Sequence, residues 1–138
     1  MNKIKTLIDN LESKDPLVRN KSAIELMDIG NSIAVLPLIK AICNPDNINH
    51  RGTLVYALEV FDCRDHIKLL VELALTGNFE VSSGACGIIV DIELSYDHVK
   101  EIKKLIGELN VYSLQNDHNL EAFELLLELV NERHKKGN

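Results

Sequence analysis

Histidine and cysteine are the residue types of this chain that most often bind metals or act as nucleophiles. Five histidines and three cysteines are spread along 138 residues: His50, His66, His98, His118, His134, Cys43, Cys63 and Cys86. No two histidines lie within four positions of each other, and no cysteines form a CxxC pair. The odd cysteine count is typical of reduced thiols packed as small hydrophobic residues. We therefore predict no metal site, no cofactor and no catalytic residue.

The segment Gly84-Ala85-Cys86-Gly87 resembles a glycine-rich loop only superficially, because it lacks the lysine and the spacing of a phosphate-binding loop. Each glycine costs about 1 kcal/mol relative to alanine inside a helix. Two explanations remain open for the small face formed by Ser82, Ser83 and Gly87. It either packs closely under a neighbouring helix or forms a shallow seat for a partner's side chain. No basic residue adjoins Cys86, which favours an inert thiol.

Five carboxylates near the C-terminus follow a helical spacing of 4, 3, 4 and 4 residues: Asp117, Glu121, Glu124, Glu128 and Glu132. We call this set the acidic stripe. Like charges at these spacings destabilise a helix by a few tenths of a kcal/mol each. The acidic stripe is therefore either the solvated side of an amphipathic helix or a contact surface that attracts a basic partner.

The net charge of −6 and the pI near 5.3 argue against nucleic-acid binding, which needs a basic face. The dense basic cluster is confined to 133–136, where it suits a helix C-terminus. The apolar residues of 4–8 are interrupted by Lys5 and Thr6, and no apolar segment is long enough to cross a bilayer. We predict a cytoplasmic protein without a membrane or nucleic-acid partner.

Apolar periodicity and capping residues predict an all-α protein. Asp15 suits an N-cap, Pro16 the first helical position and Gly30 the left-handed residue that ends a helix. Further caps are predicted at Asn31 or Ser32, Asp62 or Asp65, Asn78, Ser95 and Asp117. The predicted helices are 2–13, 16–29, 32–43, 47–61, 65–76, 79–93, 97–109 and 117–134.

The helices repeat along the chain. The pattern Arg19, Ser22, Leu26 and Ile29 recurs 32 residues later as Arg51, Leu54, Leu58 and Phe61. It recurs again as Val81, Ala85, Ile89 and Ile92, equivalent to Val18, Ser22, Leu26 and Ile29, and then as Ala122, Leu126 and Leu129. We predict a single domain, 1–138, of four helical hairpins at about 2–30, 31–62, 63–94 and 95–135.

The sequence from Asp15-Pro16-Leu17-Val18-Arg19 to Ile29-Gly30, followed by Ala34-Val35-Leu36-Pro37-Leu38-Ile39, resembles the HEAT repeat, particularly its short bacterial form. The likeness is strong over 15–62 and weaker over 63–94. In the last hairpin only the periodicity remains, because Asn119 occupies the position equivalent to Arg19. The resemblance implies a right-handed α-solenoid of about four antiparallel hairpins that acts most often as a protein-binding scaffold. We expect Arg19 and Arg51 to be structural, bonding to carboxylates or carbonyls between repeats.

In HEAT proteins the positions equivalent to 20, 24, 27 and 28 line the concave face. The resemblance therefore implies a partner-binding surface that combines apolar anchors with acidic residues. Its predicted residues are Ile24, Tyr56, Glu59, Asp91, Glu121, Glu124 and Glu128.

These observations favour a non-catalytic module that binds a basic protein on its concave acidic face, as a bacterial immunity protein or an adaptor. One alternative is a HEAT-like enzyme of the bilin-lyase type or one that acts on nucleic acid, although the acidic charge disfavours the latter. Another is a structural repeat that stacks into larger assemblies through its ends, which the polar last helix disfavours.

Overall fold

A computed structural model describes the backbone of residues 2–136 and the side chains of residues 2–132. Every regular element in this part of the chain is helical, which confirms the predicted all-α class. Its eight α-helices are α1 (Lys3–Asn10), α2 (Pro16–Ile29), α3 (Val35–Cys43), α4 (Gly52–Ala57), α5 (Ile67–Thr76), α6 (Phe79–Asp91), α7 (Tyr96–Gly107) and α8 (Asp117–Lys136). Short 3₁₀ turns lie at Ser32–Ala34, Pro45–Asn47, Leu58–Val60, Arg64–His66 and Val111–Ser113.

The helix boundaries follow the capping residues. Helix α2 has the predicted bounds, because the Asp15 side chain accepts a hydrogen bond from the Leu17 amide at 3.0 Å. Gly30 ends the helix with a left-handed φ of 72°. Asn31, Asn78 and Ser95 are the N-caps of the Ser32–Ala34 turn, α6 and α7. Each of these side chains accepts a backbone N–H at its helix start, which satisfies a donor without an intrahelical partner.

The fourth helix is shorter than the predicted 47–61. The chain instead forms a 3₁₀ turn at Pro45–Asn47, begins α4 at Gly52, and tightens into a second 3₁₀ turn at Leu58–Val60. The buried Asn47 side chain contributes to this arrangement, because its Nδ2 donates to the Ala41 carbonyl at 2.9 Å. This bond ties the Pro45–Asn47 turn to the end of α3.

The chain divides into two compact units, residues up to Asp62 and residues from Cys63 onward. The boundary coincides with the predicted junction between the second and third hairpins. In the first unit, α2 packs against α1 and α4, and α3 packs against α4. Fully buried aliphatic side chains fill this unit: Leu26, Leu38, Ile42, Leu54, Val55 and Leu58.

The second unit contains α5 to α8. Helix α5 contacts α6, α7 and α8, while α8 also contacts α6 and α7. Helices that occupy equivalent positions in successive hairpins, α5 with α7 and α6 with α8, therefore lie in contact within this unit. Its buried side chains are again aliphatic: Leu70, Val71, Val81, Ile89, Ile102 and Leu126. Aliphatic side chains interdigitate between closely packed helices and explain why a chain with 4% aromatic residues builds a core.

Buried polar side chains of the first unit stabilise helix ends. Arg19 is only 4% exposed, and its Nη1 donates to the Ser13 carbonyl at 2.7 Å, just after α1. This is the predicted carbonyl contact, although it is made within one hairpin rather than between repeats. Arg51 is half-buried at the start of α4. The Nε atoms of Arg19 and Arg51 are buried without a hydrogen-bond partner among the described residues.

In the second unit, buried polar side chains likewise form hydrogen bonds to backbone carbonyls at the end of α5. The buried Asn119 amide donates to the carbonyls of Ala74 and Gly77, both at 3.0 Å. Ser82 Oγ donates to Ala74 at 2.6 Å, so this carbonyl has two side-chain partners. C-terminal carbonyls of a helix lack intrahelical donors, and buried side chains supply them here. Asn119, like Arg19, donates to carbonyls at a helix end, but it reaches a helix more than 40 residues earlier, whereas Arg19 bonds six residues back.

Candidate functional site

The residues predicted to bind a partner are divided between the two units. Ile24, Tyr56 and Glu59 belong to the first unit, on α2, α4 and the 3₁₀ turn that follows it. The other four belong to the second unit, on α6 and α8: Asp91, Glu121, Glu124 and Glu128. They therefore form two groups, and each group has its own local geometry.

In the first unit, Tyr56 is the main exposed aromatic residue of the predicted set, with half of its surface (50%) accessible. Glu59 is exposed, whereas Ile24 is half-buried and offers less contact area than predicted for an anchor. Val60, which directly follows Glu59, is 54% exposed. Val60 is not part of the predicted binding set. Its apolar character at a solvent-facing position is the signal that would have identified it.

In the second unit, every residue of the acidic stripe is exposed: Asp117, Glu121, Glu124, Glu128 and Glu132. The opposite side of α8 buries Asn119, Ala122, Leu126 and Val130, with relative exposures of 4% or less. No ion pair involves the acidic stripe within residues 2–132. Among these residues the stripe carries unpaired carboxylates over about 22 Å, given a rise of about 1.5 Å per residue.

Helix α6 contributes an exposed carboxylate and an exposed apolar residue next to each other. Asp91, the last residue of the helix, is exposed as predicted, and Val90 is 49% exposed. Val90 lies outside the predicted binding set. Because α6 contacts α8, the second unit carries these two residues on a helix adjacent to the acidic stripe.

The small residues of α6 do not share one environment. Ser82 is buried and hydrogen-bonded, which fits close packing. Ser83 and Gly87 are exposed, so the packing explanation is wrong for them. The reason is helical geometry, since Ser83 and Gly87 are four residues apart and share a face that Ser82 does not. Gly84 is half-buried.

The three cysteines are free, but they differ in exposure. Cys63 is buried, and Cys86 is half-buried, where desolvation raises the pKa of its thiol and favours the unreactive protonated form. The expectation that all three pack as small hydrophobic residues is wrong for Cys43, which is exposed at the last position of α3. Position in the helix explains this, because Ala41 and Ile42 already occupy the buried side of that turn.

His118, in the first turn of α8, has a packing role. His118 Nε2 lies 3.1 Å from the Gly77 carbonyl, and its ring meets Phe79 edge-on with centroids 6.1 Å apart. Within residues 2–132 no three histidine, cysteine, aspartate or glutamate residues are grouped to hold a metal ion. None of the described helices is both long enough and apolar enough to cross a membrane.

A groove between α1 and α3 is a feature that the sequence did not predict. It has a volume of about 560 Å³, with Leu11 and Ala41 buried at its base and Leu36 67% exposed at its edge. Lys40 Nζ on α3 and Glu12 Oε1 in the turn after α1 form an ion pair at 3.2 Å. Both charged side chains are more than 70% exposed, so the ion pair contributes little to stability. The groove is lined by polar as well as apolar side chains, since Asn44 joins this ion pair at its surface.

Comparison of the chain with protein-family models gave no match. Comparisons with curated proteins and with solved structures also gave no match.

Proposed function

We propose that this chain is a non-catalytic protein-interaction module that binds a basic protein surface through the acidic stripe of α8. The exposure of five carboxylates along one helix is the observation that carries the proposal. A structural role for these residues would place them in ion pairs or hydrogen bonds, and the described residues provide none. Unpaired surface carboxylates raise the local negative potential, which steers a basic partner and accelerates association.

The proposed architecture is a right-handed α-solenoid of four HEAT-like hairpins. The repeated sequence pattern supports it, as do the contacts between equivalent helices within the second unit. In such an array each hairpin buries its apolar side mainly against the next one, which leaves an extended surface free for a partner. Asp91 on α6 would extend the acidic stripe in this arrangement, with Val90 as an apolar contact beside it.

The proposed setting is the cytoplasm of a bacterium, where the module would act as an immunity protein or as an adaptor. Three free cysteines are consistent with a reducing compartment. A toxin neutralised by an acidic immunity protein would present the basic surface that the stripe requires. On the first unit, Tyr56, Glu59 and Val60 would form a separate, smaller contact surface.

The test uses charge neutralisation with a matched control. The stripe variant carries Glu121→Gln, Glu124→Gln and Glu128→Gln. The control carries Asp97→Asn and Glu101→Gln on α7 and Glu108→Gln at its C-cap, all at exposed positions. Both variants lose three negative charges. A protein captured from lysate by the immobilised wild-type chain is identified by mass spectrometry, purified and titrated against each variant at two salt concentrations.

We expect the stripe variant to bind about 10- to 100-fold more weakly, since each exposed charge pair contributes up to about 1 kcal/mol. The control should bind as the wild type does, and the wild-type association rate should fall as salt rises. Equal affinity of the stripe variant and the wild type would refute the proposal. So would an equal loss in both variants, because that result would indicate only a general charge effect.

A further inference from the structure

The start of α7 is closed by two reciprocal hydrogen bonds. The His98 amide donates to Ser95 Oγ at 3.1 Å, and the Ser95 amide donates to His98 Nδ1, also at 3.1 Å. Together they form a capping box. The third helical position of a capping box is usually glutamate or glutamine. Here a histidine ring supplies the acceptor, so one of the two bonds depends on the protonation state of that ring.

The bond to His98 Nδ1 determines which ring nitrogen carries the proton. A backbone N–H can only donate, so Nδ1 accepts through its lone pair and the proton of the neutral ring lies on Nε2. When the ring takes up a second proton, both nitrogens become donors. The new Nδ1–H would oppose the Ser95 N–H, and the positive ring would lie at the N-terminal end of α7, where the helix dipole disfavours a cation. Protonation therefore removes one half of the capping box.

The equivalent histidine one repeat earlier in the sequence lacks this arrangement. The segment Asp65-His66-Ile67-Lys68 matches Asp97-His98-Val99-Lys100 at a separation of 32 residues. The position equivalent to Ser95 is Cys63, which makes no side-chain cap hydrogen bond at the turn before α5. The shared aspartate, histidine and lysine are therefore not sufficient for a capping box, and the serine is needed as well. His66 thus provides a matched reference for His98.

The charges around the start of α7 come from three helices. Helices α5 and α8 both pack against α7. Because short connections make neighbouring helices antiparallel, the start of α5 and the C-terminal half of α8 lie on the side of the His98 end of α7. The charged or titratable residues of these three segments are Glu93, Asp97, Lys100 and Glu101 around α7, Arg64, Asp65, His66 and Lys68 at α5, and Glu128 and Glu132 on α8. The basic cluster at 133–136 lies outside the described side chains.

These neighbouring charges have both signs, and none of them forms an ion pair with His98 within residues 2–132. Exposed charges without direct contact are screened by water and salt and contribute little. The hydrogen bond from the Ser95 amide is therefore the specific contact that distinguishes the neutral ring from the protonated one.

We propose that the first turn of α7 is a pH-sensitive element, in which protonation of His98 opens the capping box and loosens the start of the helix. Histidine is the side chain that ordinarily changes charge between about pH 5 and pH 8. The capping box is intact while the ring is neutral, so its contribution to stability is present at alkaline pH and is lost as the pH falls through the range in which the ring takes up a proton. Helix α7 packs against α8, which carries the acidic stripe, but the pH response does not depend on partner binding.

Nuclear magnetic resonance of the isotope-labelled chain, titrated from about pH 8 to about pH 5.5, tests the proposal directly. At the alkaline end the His98 ring should have its proton on Nε2. As the pH falls, the Ser95 amide resonance should shift with the same midpoint as the His98 ring, because the amide loses its acceptor. In His98→Gln this shift should disappear, since a glutamine side-chain oxygen accepts at every pH. His66→Gln is the control and should keep the wild-type response of the Ser95 amide.

Thermal denaturation over the same pH range measures the effect on stability. The melting temperature of the wild type should fall by about 2–5 °C more than that of His98→Gln, the size expected when one helix cap is lost. A Ser95 amide resonance that does not follow the His98 ring would overturn the proposal. So would a ring that stays neutral throughout, a neutral ring with its proton on Nδ1, or equal changes of melting temperature in the wild type and His98→Gln.

Discussion

At the residue scale, two buried polar side chains, Arg19 and Asn119, form hydrogen bonds to backbone carbonyls near helix ends. Asn119 stands where the repeat pattern has Arg19, and the sequence alone reads this as a loss of the repeat signature. In the structure both side chains donate to carbonyls at or just after the end of an α-helix. The two contacts differ in sequence separation: Arg19 bonds to a carbonyl six residues earlier, and Asn119 bonds to carbonyls more than 40 residues earlier.

Gly77 is required by steric crowding around its Cα rather than by its backbone dihedral angles. Its backbone is extended, with φ −74° and ψ 164°, so glycine is not required for its dihedral angles. A Cβ at this position would lie 2.6 Å from the Leu73 carbonyl oxygen and would collide with the Val81 side chain. The Gly77 carbonyl also accepts the Asn119 and His118 contacts, so a shift of this turn would disturb them.

We therefore predict that Gly77→Ala lowers the free energy of unfolding by about 1–3 kcal/mol, the usual cost of overpacking. Urea denaturation followed by circular dichroism measures the change. Gly107→Ala is the matched control, because a Cβ there meets no atom within 4 Å and the residue is helical. The control should be neutral or stabilising by up to about 1 kcal/mol. A Gly77→Ala protein as stable as the wild type would show that the α5–α6 turn relaxes without cost.

The cysteines allow a prediction of reactivity. Burial raises the pKa of the Cys86 thiol, so its thiolate fraction at neutral pH is lower than that of an ordinary cysteine. Because Cys43 is exposed, iodoacetamide at pH 7 should modify Cys43 first and Cys86 more slowly, and the Cys86 rate should keep rising with pH above the usual thiol range. Mass spectrometry of the labelled peptides gives both rates. Modification of Cys86 as fast as Cys43 at pH 7 would contradict this assignment, and Cys43→Ser should remove the fast phase.

At the element scale, local signals were sufficient for most helices. Helix α2 has its N-cap, its first-position proline and its C-terminal glycine in the sequence, and its bounds agree with the prediction. Helix α4 departs from the prediction: at the expected start, the Asn47 side chain donates to the Ala41 carbonyl six residues earlier, and the helix begins only at Gly52. Caps act within one turn of the chain, whereas that bond depends on where α3 ends.

The N-cap of α2 can be tested within one helix. Asp15→Ala removes the acceptor of the Leu17 amide and should lower the free energy of unfolding by about 1 kcal/mol, within a range of about 0.5–2 kcal/mol. Asp28→Ala is the control, since this exposed aspartate lies in the last turn of the same helix, where a negative charge opposes the helix dipole. It should be neutral or slightly stabilising by thermal denaturation. Equal losses in the two variants would argue against the cap.

At the scale of the whole molecule, the chain consists of two compact units whose boundary falls after the second hairpin. The groups predicted to bind a partner are distributed over both units, with Tyr56 and Glu59 in the first and the acidic stripe in the second. The proposed function therefore rests on the geometry of the second unit alone.

The sequence by itself determined the helical class, the position of nearly every helix and the exposure of the acidic stripe. These properties depend on periodicity and on capping residues, which are local and are written in consecutive positions. Only the tertiary structure decided which small residues of α6 are covered, that Asn119 replaces Arg19 at a helix end, and that Val18 and Ile29 are open while Val81 and Ile92 are buried. Those outcomes depend on which helices lie in contact, and equivalent positions of a repeated sequence need not have the same neighbours.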